Sequence, residues 1–121
     1  MDKLARAAQA LSDETRLRIL NVLTFKECCV CEVMQALGIS QTRASRNLKI
    51  LDDAGFLNMR TEGLYTLYSL GNATGGFYTD LLKVVKAALQ EHPQAKRDML
   101  RLKQSRRVGP GCKAAAAQAV Y

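Results

Sequence analysis

Three features of the sequence predict a mainly α-helical fold carrying one small β-hairpin. Apolar residues recur at three- and four-residue spacing from Leu4 to Leu51. The rhythm breaks between Phe56 and Leu70, where alternating and aromatic-rich residues take over, and helical spacing then returns from Thr74 or Gly76. A chain of 121 residues, 48% hydrophobic and 24% charged, has globular composition and room for one core of ordinary size.

Leu4, Ala7, Ala8 and Leu11 mark a first amphipathic helix. Ser12-Asp13-Glu14 opens a second, a hydroxyl for the cap followed by two acids against the positive end of the dipole. That helix should bury Leu17, Leu20 and Leu23 or Thr24 and end near Phe25. A short third helix is expected over residues 29–37, stopped by Gly38, and a fourth over residues 41–54, capped by Ser40 and stopped by Gly55. Residues 56–60 and 65–70 read as the strands of a hairpin, with Thr61-Glu62-Gly63 as the turn. Phe77, Leu81, Leu82, Val84, Val85, Ala88 and Leu89 then form an apolar stripe wider than one side of a monomeric helix needs. Pro93 ends or bends that helix. Residues 94–107 can form a basic helix, and the Ala-rich end beyond Gly109-Pro110-Gly111 reads as frayed. The expected organisation is therefore one domain over residues 1–92 and a basic, partly helical or flexible tail over residues 93–121.

Eighteen Lys and Arg against eleven Asp and Glu leave a net charge of +7, which favours an anionic partner. Residues 91–113 hold seven basic and two acidic groups, so the excess is concentrated late in the chain. No apolar run approaches the roughly 18 residues a membrane span needs, and Met1-Asp2-Lys3 opens no signal peptide, so a cytoplasmic protein without membrane contact is expected. There is a single histidine, His92, and no HExxH, GxSxG or Gly-rich phosphate loop, which leaves catalysis little to stand on.

The third and fourth helices, joined by Leu37-Gly38-Ile39-Ser40, have the tight glycine-containing turn of a helix-turn-helix. On the fourth helix Ala44, Leu48 and Leu51 cluster toward the core, while Thr42, Arg46, Lys49 and Asp53 fall opposite, with Arg43 and Ser45 on the flanks. Hydroxyls and cations on an outer face suit base edges and phosphates, and Gln41 and Thr42 sit where helix N–H groups favour a phosphate. The same pattern also describes an ordinary solvated face. A hairpin directly after this helix makes a winged helix-turn-helix, with Arg60 and the residue 61–64 tip as the wing; the alternative is a hairpin that only closes the core. One such module makes few contacts, so a homodimer through the terminal helices is expected, the Phe77-to-Leu89 stripe and the Leu4-to-Leu11 helix forming its surface.

Cys28, Cys29 and Cys31 lie within four residues, and Cys112 lies far off. Such crowding points to soft-metal or redox chemistry rather than structural disulfides. With at most three local sulfurs and no nearby histidine, a three-coordinate soft ion fits better than tetrahedral zinc. Two residues apart on an intact helix, Cys29 and Cys31 point about 200° apart. Joint binding of one ion is therefore expected to unwind the start of the third helix and loosen the fourth. Open alternatives are a buried apolar Cys28-Val30 segment with incidental thiols, and a redox switch through a local disulfide or one to Cys112.

At this point Ala10-Leu11-Ser12-Asp13-Glu14-Thr15-Arg16-Leu17-Arg18-Ile19-Leu20, then Glu27-x-Cys29-Val30-Cys31-Glu32, Ser40-Gln41 and residues 48–57 together resemble the ArsR/SmtB family of bacterial metalloregulatory repressors. The resemblance covers roughly residues 3–90, and its cysteine motif is similar to that of the arsenite-responsive branch. It implies a winged-helix homodimer on the operator of an arsenic-resistance operon, released when As(III) or Sb(III) binds, with Cys29 and Cys31 as ligands. A third cysteine often found three positions past the second is Met34 here, so the third sulfur is Cys28 or Cys112. No cysteine precedes Cys28, which argues against the four-sulfur cadmium/lead site, and Asp80 with His92 is a thin remnant of the zinc-responsive one. The predicted contacts to DNA are Gln41, Thr42, Arg43, Ser45, Arg46, Lys49 and Arg60. The competing readings are a thiol redox-sensing regulator on the same scaffold and a small thiol-dependent arsenate-handling enzyme, whose activating partner and substrate pocket are not visible in the sequence.

Overall fold

The computed structural model describes residues 2–71 and 76–107. Six helices and one hairpin follow in the order α1 (Asp2–Ala10), α2 (Glu14–Leu23), α3 (Val30–Leu37), α4 (Gln41–Asp53), β1 (Leu57–Glu62), β2 (Tyr65–Leu70), α5 (Gly76–Leu89) and α6 (Pro93–Gln104). Local chemistry accounts for their ends. Asp13 is extended and its carboxylate accepts the Arg16 amide N–H at the start of α2; Ser40 Oγ does the same for Arg43 at the start of α4. Gly38 adopts φ 70°, a left-handed conformation that closes α3 and sets the tight turn into α4.

α2 is the central element, packing on α3, α4, α5, α6 and β2. Its Ile19, Leu20, Val22 and Leu23 are buried with Val33, Met34, Leu37, Leu48, Leu51 and Phe56 in one core; Leu17, expected inside, is only half-buried. β1 and β2 pair antiparallel from Leu57 opposite Leu70 to Glu62 opposite Tyr65, so the turn is the two residues Gly63-Leu64, with Gly63 at φ 61°. Both strands run longer toward the tip than their apolar alternation foretold.

The helix expected over residues 94–107 is present as Pro93–Gln104, with proline at its first turn. It is docked rather than peripheral. α6 packs on α2 and α3, buries Ala95 and Leu102 in that contact, and places the Asp98 carboxylate, fully buried, against Arg18 Nε and Nη2 at 2.8 Å each. The expected boundary at residue 93 therefore falls at a helix start inside the packed unit. The hydrogen bond to Asp98 holds the Arg18 guanidinium above its ordinary pKa, against its partial desolvation. The Ala-rich end and Cys112 lie outside the described residues. Among the described residues, no helix is long and apolar enough to cross a membrane.

Candidate functional site

The segment between α2 and α3 carries the cysteines, and the structure separates them by side. Cys28 is in β-bridge geometry with Tyr68 of β2: its N–H donates to the Tyr68 carbonyl at 2.9 Å and its carbonyl accepts from Tyr68 N–H at 2.8 Å. In such extended backbone neighbouring side chains point to opposite faces. Cys28 accordingly packs into the main core, fully buried, its thiol directed at the Lys26 carbonyl at 3.4 Å. Burial first, then the nearby Glu32 charge, pushes that thiol up to about 12. Cys29 and Cys31 face the other way, into a small cluster with Leu67 and Tyr65 of β2. Their sulfurs are bonded to one another as a disulfide, with the Cα atoms 5.5 Å apart.

This convergence corrects one expectation. The helix was predicted to begin at Cys29, which would have thrown the two sulfurs to opposite sides. Instead α3 begins at Val30, and Cys29 is its N-cap residue at φ −84°, ψ 171°. An extended cap residue lies off the helical wheel, so Cys29 and Cys31 meet while α3 stays intact. The cap is held by Glu32, whose Oε1 accepts the Cys29 N–H at 3.0 Å. Cysteine is not among the usual cap residues, which is why Cys29-x-x-Glu32 was not read as a helix start.

Glu32 is a buried carboxylate with two further partners, Lys26 Nζ and Arg107 Nε, the latter at 2.9 Å. Burial pushes its pKa up, but hydrogen bonds from Lys26, the Cys29 amide and Arg107 outweigh this, and the carboxyl sits below its ordinary range. On the other flank Glu27 binds Arg60 of β1, and Arg60 Nη2 also meets Glu62 at 2.8 Å. The hydrogen bond from Arg60 holds Glu27 below the ordinary carboxylate range, and those from Glu27 and Glu62 raise Arg60. The cysteine segment is thus fastened to the hairpin twice, by a backbone bridge and by an ion pair. Glu27, Glu32, Leu67, Tyr68 and Arg107 were all missed by sequence reasoning.

Met34, at the position of the missing cysteine, is fully buried in the main core. His92 caps α6, its Nδ1 accepting the Gln94 N–H at 3.2 Å, and Asp80 is exposed on α5. Among the described residues no three His, Cys, Asp or Glu side chains gather as a metal cage.

The second part of the site is the outer face of α4. Gln41, Thr42, Arg43, Ser45, Arg46 and Lys49 are all exposed, while Ala44, Leu48 and Leu51 are fully buried beneath them. Their partners differ. Arg43 Nη2 donates to Thr15 Oγ1 at 2.9 Å, and Lys49 pairs with Asp53 at 3.4 Å. Behind this face Asn47 is buried, its Oδ1 accepting from Arg16 Nη1 at 3.1 Å; Arg16 Nε in turn reaches the Ala10 carbonyl at 2.7 Å. Arg16 thereby fixes α4 to the end of α1. Outside this region, Leu4 on α1 and Val84 on α5 are large apolar side chains left 49% and 67% exposed, too open for a finished monomer surface.

Residues 13–59, which span α2 to the start of the hairpin, match the family model described as bacterial regulatory protein, arsR family. The chain is 35% identical over 86 residues to the arsenical resistance operon repressor of Escherichia coli, covering 70% of this chain and 74% of that one. It is 39% identical over 81 residues to an arsenic resistance transcriptional regulator of Pseudomonas putida, covering 66% and 70%. A cadmium resistance regulatory protein homologue of Staphylococcus aureus is 40% identical over 68 residues, and there the match spans only 56% of that protein's length. In fold the chain is similar to a homodimeric winged helix-turn-helix DNA-binding domain from Mycobacterium bovis, with TM-score 0.63 and 33% identity, covering 76% of this chain and 82% of that one. The architecture is thus a winged helix-turn-helix, and these relatives are regulators rather than enzymes. By sequence and by fold, the chain belongs to the ArsR family of bacterial regulatory proteins.

Proposed function

We propose that the protein is a homodimeric, cytoplasmic repressor that sits on the operator of an arsenical-resistance operon and leaves it when As(III) or Sb(III) binds Cys29 and Cys31. The observation that carries this reading is the meeting of two sulfurs at the cap of α3, fastened to the wing on one side and one helix away from the exposed face of α4. Gln41, Thr42, Arg43, Ser45, Arg46 and Lys49 would contact the major groove and Arg60 the neighbouring backbone. The names of the E. coli and P. putida relatives support the arsenic assignment.

Release needs no unwinding of α3. An ion inserted between two sulfurs pushes them apart, and the segment that carries them also carries Glu27 and the Cys28–Tyr68 bridge. Displacing it shifts the wing relative to α4. To empty the operator, the ion must prefer the displaced arrangement by several kcal/mol, about 5.5 for a 1:99 to 99:1 reversal. The double variant Cys29→Ser, Cys31→Ser is expected to bind operator DNA as tightly as the reduced parent and to stay bound when arsenite is added, read by fluorescence anisotropy. Release of the double variant at the parent's arsenite concentration refutes the ligand assignment.

The disulfide between the same two residues favours one second reading, a thiol-oxidation sensor. It predicts that peroxide releases the operator and arsenite does not. The arsenical reading predicts release of the reduced protein by arsenite.

A further inference from the structure

We propose that Cys112 supplies the third sulfur to the Cys29–Cys31 pair, carried there by a strap that the chain lays across α3 after α6. The proposal rests on Cys29 and Cys31 being the ligands. As(III) takes three thiolates where it finds them, and the local segment offers two. Cys28 faces the opposite side, its backbone fixed by both hydrogen bonds to Tyr68 and its sulfur on the Lys26 carbonyl. Met34 is a fully buried thioether.

The strap is visible in three contacts. Past the end of α6, Arg106 N–H donates to Gln35 Oε1 at 3.1 Å, and Gln35 Nε2 donates to the Arg106 carbonyl at 2.7 Å. The side-chain amide of Gln35 thus pairs with the Arg106 backbone through both of its ends. One residue later Arg107 Nε donates to Glu32 Oε1 at 2.9 Å, the oxygen that also accepts the Cys29 N–H at 3.0 Å. Gln35 and Glu32 are three apart on α3, so they share a face. Residue 106 is held at position 35 and residue 107 at position 32. The chain is therefore pinned while running toward the N-terminus of α3, where the two thiols are.

The arithmetic of reach is sufficient. Cys112 follows Arg107 by five residues, an extended span of roughly 16 Å. From the Arg107 backbone to the Cys29 amide is one arginine side chain and two hydrogen bonds through Glu32, at most about 11 Å. The residues before Cys112 are Gly109-Pro110-Gly111, types from which turns are built.

The chemistry balances without change of oxidation state at arsenic. The Cys29–Cys31 disulfide is first reduced with two electrons by a dithiol reductant. Arsenous acid, As(OH)3, then condenses with the three thiols: three As–O bonds break, three As–S bonds form, and each thiol proton leaves with a hydroxide as water. With two thiols, one As–O bond is left.

The test uses the full chain, reduced, with two probes. Phenylarsine oxide needs two thiols; arsenite uses three. Arsenic-edge absorption of the arsenite complex is expected to show three As–S bonds in the parent and two As–S with one As–O in Cys112→Ser. The same substitution should weaken arsenite binding on the order of a hundredfold, by losing an intramolecular ligand, and leave phenylarsine oxide binding unchanged. Arg107→Ala should fall between the two. Three As–S bonds and parental affinity in Cys112→Ser overturn the proposal, as does loss of the third As–S bond in Cys28→Ala. Arsenite binding that survives Cys29→Ser, Cys31→Ser instead removes the underlying site, which is a separate failure.

Discussion

Arg46 differs from its neighbours on α4 in having nothing to hold. Arg43 is bonded to Thr15 and Lys49 to Asp53, whereas Arg46 has neither an ion pair nor a hydrogen bond among the described residues. A free cation at the middle of an exposed recognition face is available to DNA without first breaking a contact. Arg46→Ala is expected to weaken operator binding by about 1–3 kcal/mol while leaving the folding midpoint unchanged. Operator titrations at several salt concentrations check this, and unchanged affinity throughout removes α4 as the reader. The outer face of α4 was legible in the sequence because helical periodicity alone sorts Ala44, Leu48 and Leu51 from Arg46 and Lys49. The partners were not legible. Arg43 meets Thr15 across 28 positions and Arg60 meets Glu27 across 33, and no local pattern encodes such pairings.

At the scale of elements, the sequence predicted every helix and both strands, and it failed where a cap or a docking depended on tertiary contact. The start of α3 is one residue later than expected because Glu32 reaches back to the Cys29 amide, and that single residue decides whether the thiols meet. α6 was read as a tail because its composition is basic, yet its one acid is the residue that docks it. Asp98 is wholly buried against Arg18, with Gln94 Nε2 adding a third donor at 3.0 Å. Removing one member of such a pair strands the other's charge in the interior. Arg18→Met should therefore destabilise the fold by about 3–5 kcal/mol, read as a lower urea midpoint at unchanged slope. A shift well under 1 kcal/mol would mean that α6 is held by Leu102 and Ala95 alone.

For the whole molecule, the wide apolar stripe noted in the sequence resolves into two populations. Tyr78 and Val85 turn inward and are buried, while Val84, with Leu4 of α1, remains open to solvent. A second copy of the chain is the cover proposed here. Val84→Glu combined with Leu4→Glu is expected to leave the folded monomer intact, since neither side chain is in the core, and to abolish association and operator binding together. Sedimentation velocity and circular dichroism check the two halves of that statement. A dimer that persists in the double variant places the interface elsewhere.

The wing arginine brings a final consequence. Arg60 lies between Glu27 and Glu62, so the hairpin edge presents to an approaching polyanion a cation whose charge is already answered. A phosphate can engage it only by evicting a carboxylate. The acid set loose would be Glu27, on the very strand that holds the sulfurs. Grip on the duplex and the resting place of the inducer's ligands would then compete for one guanidinium, and each state of the switch would be written in which oxygens it holds.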